Sequence, residues 1–89
     1  MSIYSLVFNY HNTTYHFTAK YLGNDLYKVL FLNSVDREFL IPQKFIINAN
    51  HTLIFLPEEP NAVFYVSLNA LDFLRSLAAS LKEYFMEYV

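Results

Sequence analysis

Cysteine is absent from this 89-residue chain, which removes disulfide staples, thiolate metal sites and cysteine nucleophiles together. Glycine occurs once and proline three times, so collagen-like and linker-like compositions are excluded, as is a glycine-rich phosphate loop. Charge is scarce. Charged residues make up 16% against 55% hydrophobic, with a mean hydropathy of +0.22, the reverse of a disordered chain. The length suits one domain.

Basic charge is scarcer still. The formal net charge is −2 and the pI near 5.8, with Lys20, Lys28, Arg37, Lys44, Arg75 and Lys82 all separated in sequence. A phosphate-tracking stripe releases counterions only if cations are clustered, so no nucleic-acid partner is expected. Met1 to Ala19 carries no charge, but Asn9, His11, Asn12, Thr13, Thr14 and His16 interrupt it, which argues against a membrane span. It has neither a basic leader nor a small-residue cleavage site. A cytoplasmic setting is the expectation, one in which a chain without cysteine is ordinary.

What is present is period-two patterning. In Tyr4–Tyr10 the even residues Tyr4, Leu6, Phe8 and Tyr10 share a face; in Tyr15–Tyr21 the odd residues do. A turn at Asn12-Thr13 predicts a hairpin pairing Tyr10 with Tyr15, Phe8 with Phe17, Leu6 with Ala19 and Tyr4 with Tyr21. The lone glycine opens a second turn, Gly23 to Asp25, and a register setting Tyr21 against Tyr27, Ala19 against Val29 and Phe17 against Phe31. That register also sets Lys20 against Lys28, a like-charge cost. Further apolar runs predict strands at Arg37–Ile41, Phe45–Ile47, Thr52–Leu56 and Val63–Val66, with Glu58 to Asn61 as a turn. For 42–50, periodicity also admits one helical turn. Six of the eight asparagines (12, 24, 33, 48, 50 and 61) fall in these predicted turns, where Asn replaces glycine at left-handed positions.

The period changes near the C-terminus. Leu71, Leu74, Ala78, Leu81, Phe85 and Tyr88 recur three and four apart, an arc of roughly 140° on a helix of about five turns over 69–88. Asp72, Arg75, Ser76, Ser80, Lys82, Glu83 and Glu87 fill the other side. Asn69 is the expected N-cap, with Leu68 stapling onto Phe73 and Ser67 as the alternative cap. The architecture these segments predict is α+β: an antiparallel meander of five to six strands over about 3–66, with the amphipathic helix on one face.

No residue earns a catalytic role. Ser5, Ser34, Ser67, Ser76 and Ser80 lack a glycine-flanked elbow, and Glu58-Glu59 sits beside prolines in a turn. His11, His16 and His51 have no ligand spacing, so no metal or cofactor is expected. The expectation is a non-enzymatic protein–protein interaction domain, homodimeric because one helix covers only one side of a sheet. Interface candidates are Ile3, Val7, Leu30, Leu32 and, on an edge strand, Phe64. The alternative is a small apolar or aromatic ligand held between helix and sheet by Tyr4, Tyr10, Tyr15, Tyr21 and Tyr27, since aromatics form 19% of the chain and Tyr serves well at interfaces.

Overall fold

A computed structural model describes residues 2–35 and 39–87. It contains six strands, β1 (Tyr4–Tyr10), β2 (Thr13–Gly23), β3 (Leu26–Phe31), β4 (Lys44–Asn48), β5 (Leu53–Leu56) and β6 (Glu59–Phe64), followed by helix α1 (Leu68–Glu87). All neighbours pair antiparallel in chain order, β1-β2-β3-β4-β5-β6, a plain meander with β1 and β6 at the edges. The α+β class read from the sequence is therefore the class observed.

The first hairpin differs from expectation by one step of its ladder. Tyr10 pairs with Thr13, Phe8 with Tyr15, Leu6 with Phe17 and Tyr4 with Ala19. The turn is His11-Asn12, at φ 47° and 63°. A two-residue hairpin turn of this twist needs positive φ at both central residues. Asn12-Thr13 would place β-branched Thr13 there, where its side chain collides with the backbone. The shift is two residues, so every side chain keeps its face. The second hairpin has the anticipated pairs, including Lys20 against Lys28, and turns at Asn24-Asp25. The register slips between Tyr21 and Gly23, and Gly23 takes φ 91°, a conformation L side chains resist.

Two of the predicted segments are corrected and one is settled between its alternatives. No strand spans the described part of Arg37–Ile41: Leu40 lies at φ 55°, incompatible with extended pairing, while Arg37 and Glu38 fall outside the described residues. Residues 44–48 form β4, the strand that the run Phe45–Ile47 predicts and not the alternative helical turn, because Phe45 and Ile47 bury on alternate positions opposite Val29 and Tyr27. Glu59 and Asn61 belong to β6, and the corner is tighter, at Pro57-Glu58. Asn48 likewise ends a strand, but its side chain still builds the next turn by accepting from the N–H groups of Asn50 (3.0 Å) and His51 (3.2 Å). Asn33 extends the β2–β3 ladder with its side chain, accepting from His16 N–H at 2.8 Å and donating to Thr14 carbonyl at 3.2 Å.

One face of the sheet and one side of α1 make the core. Phe8, Tyr15, Phe17, Tyr27, Val29, Phe31, Phe45, Ile47 and Ile54 meet Phe73, Leu74, Leu77, Ala78 and Leu81, with no buried polar side chain among the described residues. Ala19 and Ala78 are both buried, as expected where helix and sheet approach. The helix is rolled toward Phe73 relative to the predicted stripe: Phe73 is fully buried, Leu71 half-exposed. Ser67 caps the helix, its hydroxyl accepting from Ala70 N–H at 3.2 Å, in place of Asn69. Starting the helix at Leu68 leaves that residue 85% exposed, so it staples nothing. Tyr88 lies outside the described residues.

Candidate functional site

Two surface regions combine chemistry with exposure. The first is the sheet face opposite α1. Because strand side chains alternate, the residues left there are the complements of the core set. Reading across the strands, one row runs Lys20–Lys28–Ile46–Phe55–Val63, and Ile3, one position before the Tyr4–Ala19 pair, stands beside Lys20. The next row is Ser5–Thr18–Leu30–Lys44, and a third sets Val7 against His16. Ile3, Val7, Leu30 and Leu32 are all exposed, from 38% for Leu30 to 66% for Ile3.

Four of the five interface candidates thus share the open face. Phe64 does not. It pairs with buried Ile54 and packs against the core, whereas its neighbour Val63 pairs with Phe55 and is exposed. Edge position does not decide facing; parity does. The sequence reading also missed Ile46, Phe55 and Leu53 as open-face residues, although their alternation with Phe45, Ile47 and Ile54 was a legible signal once the strands were aligned.

At the centre of this face Lys20, Lys28 and Lys44 line a shallow depression of about 240 Å³ with Thr18, Leu30 and Ile3. Lys82 on α1 is the one lysine that makes a hydrogen bond to a described residue, donating to Asn50 at 2.9 Å. The three sheet lysines have no described carboxylate as partner. Described acids lie elsewhere: Asp25 in the β2–β3 turn, Glu58 and Glu59 at the β5–β6 corner, Asp72 and Glu83 on α1.

The second region is a cleft of about 400 Å³ at the β1–β2 turn, where the N-terminal end of α1 arrives. Tyr10, Tyr15, Phe39, His11 and Asp72 line it. The Tyr10 hydroxyl donates to Asp72 Oδ2 at 2.5 Å, and its ring stacks on His11 with centroids 4.0 Å apart. That hydrogen bond to a carboxylate, reinforced by burial and by the Asp72 charge, pushes the Tyr10 hydroxyl from 10.0 up to about 12. Of the five tyrosines proposed to line one pocket, only Tyr10 and Tyr15 meet here. Tyr4, Tyr21 and Tyr27 gather at the other end of the helix around Phe85, with centroid distances of 5.5, 6.1 and 5.1 Å. The separation follows from strand length: Tyr4 and Tyr10 stand six residues apart on β1, about 20 Å of extended chain.

Among the described residues no group of three or more His, Asp or Glu side chains is placed to hold a metal ion, and no helix is long and apolar enough to cross a membrane. Comparison with known proteins finds no family model that matches the chain, and no curated protein or solved structure similar to it.

Proposed function

We propose that this chain is a non-enzymatic protein-interaction domain that works through its open sheet face. The observation that supports this reading is the one-sided cover: α1 shields one face of a six-stranded sheet, while Ile3, Val7, Leu30 and Leu32 stay in water on the other. Contiguous apolar surface with a polar admixture resembles the composition of association surfaces. A homodimer, the expectation from the sequence, is the less favourable form. A twofold interface brings like surface against like, and stacking two such faces would crowd the lysines of both copies around the axis without counter-charge. A different protein is the better occupant.

The test is light scattering coupled to size exclusion over a hundredfold concentration range, followed by hydrogen exchange with the captured partner. The reading expects a monomer alone and new protection at Val7, Thr18 and Leu30 in the complex. Protection confined to α1 or to the Tyr10 cleft would refute it. A stable dimer protected on the open face would restore the homodimer form.

A second reading has the aromatic cleft in its favour: a small aromatic or apolar ligand held by Tyr10, Tyr15 and Phe39. The cleft is within the size range of small-ligand sites. A thermal-shift panel separates the two, because one ligand class would raise the midpoint of the wild type and not of Tyr15→Ala.

A further inference from the structure

Resting on the open-face reading, we propose that the partner is an acidic amphipathic protein segment, its carboxylates seated on Lys20, Lys28 and Lys44 and its apolar ends on Ile3 at one side and Ile46, Phe55 and Val63 at the other. The warrant is charge complementarity. Four lysines occur in a chain of net charge −2, and three of them converge on the middle strands β2, β3 and β4 of one face. Lys20 and Lys28 are direct cross-strand partners, a pairing that costs stability in the isolated domain. Their ammonium groups have no described counter-ion, and the depression beside them is lined by Thr18 and Leu30. An arriving carboxylate removes the repulsion and forms charge-assisted hydrogen bonds.

The shape of the occupant follows from the row. Ile3 to Val63 crosses six strands, about 24 Å at the usual strand spacing, which an α-helix of about sixteen residues matches. Such a helix would cross the strands, whereas α1 runs along β1, with Phe73 against Tyr10 and Phe85 against Tyr4. A nucleic acid fits less well, since three cations neutralise few phosphates and the flanks of the cluster are mainly aliphatic.

The experiment uses the full chain and a fluorescein-labelled helical peptide of about eighteen residues with Glu at its centre and Leu at both ends of its apolar stripe. A peptide with Gln for Glu and a single-stranded oligonucleotide of similar length are the comparisons. The expected result is binding of the Glu peptide that weakens at least tenfold in Lys20→Gln/Lys28→Gln/Lys44→Gln and weakens with salt, with amide shifts in NMR spectra centred on Thr18, Lys28 and Ile46. Melting of the triple variant at the wild-type temperature shows that it folds. Equal binding of the Glu and Gln peptides, or an unaffected triple variant, overturns the acidic-partner inference while leaving apolar docking on the open face intact. Tighter binding of the oligonucleotide overturns it in favour of a nucleic acid. Shifts confined to Tyr10, Phe39 and Asp72, or no peptide binding, overturn it as well; the first of these also sinks the open-face reading.

Discussion

The same strands present two faces of opposite character. The covered face is a packed aromatic cluster in which Phe73 touches Phe8, Tyr10, Tyr15, Phe31 and Phe39, at centroid distances from 4.8 to 5.9 Å. The open face, one residue out of phase, mixes aliphatic side chains with three lysines that have no carboxylate partner among the described residues. Stability resides on the first, and the proposed recognition surface is the second. Parity alone sets the contrast: a side chain contributes to folding in proportion to the water it leaves, and Ile3, Val7 and Leu32 keep more than half of their surface exposed while the core residues keep almost none.

Substitutions break or sharpen this contrast to different degrees. Phe73→Ala empties the centre of the ring cluster and is expected to cost about 3–5 kcal/mol in urea denaturation. Val7→Ala, on the other face, should stay within about 0.5 kcal/mol. Equal losses at the two positions would mean the open face is packed in solution. At the helix start, Ser67→Ala should cost about 1 kcal/mol, whereas Asn69→Ala should be close to neutral; the reverse order would return the cap to Asn69.

The Tyr10–Asp72 bond makes a prediction confined to alkaline pH. Folding holds the Tyr10 hydroxyl at about 12 against an ordinary 10.0, so its contribution is complete below pH 10 and is lost as pH rises to 12. Tyr10→Phe should remove that part of the stability decline, read as the difference between the two pH–stability curves. Tyr27, raised by burial with Tyr21 and Asp25 adding to it, titrates in the same direction and remains in both proteins. A small effect of opposite sign belongs to Lys28→Glu, which turns a like-charge pair into an attractive one. It should raise stability by about 0.2–1 kcal/mol while abolishing binding of an acidic partner, a sign reversal that no core substitution can produce.

Much of this fold is legible in particular residues. The alternation of Tyr4, Leu6, Phe8 and Tyr10 names the covered face without any knowledge of register, because a two-residue slip preserves parity. Leu30, Leu32, Ile3 and Val7 are assigned to the open face by the same rule. The turn at His11-Asn12 escaped the reading because alternation is blind to a slip of two. Phe73 lies outside the stripe that the spacing of Leu71, Leu74, Ala78 and Leu81 predicts, because a wheel weights every apolar residue alike. Its burial is decided by the cavity that Phe8, Tyr15 and Phe31 leave above the sheet.

For the candidate site the division is sharper. Lys20 opposite Lys28 follows from the hairpin pattern and was read as a small cost. That Lys44 joins them, and that Phe64 turns inward while Val63 faces out, depends on how β4, β5 and β6 align. The intervening segments, among them Leu40 at φ 55° and the bulge at Leu56, leave no periodic trace in the chain. The sequence by itself determined the faces of β1, β2 and β3, the helix and the class, since these follow from local period and burial. Only the tertiary structure decided which distant side chains became neighbours, because cross-strand register between separate hairpins is chosen by packing of the whole sheet against α1.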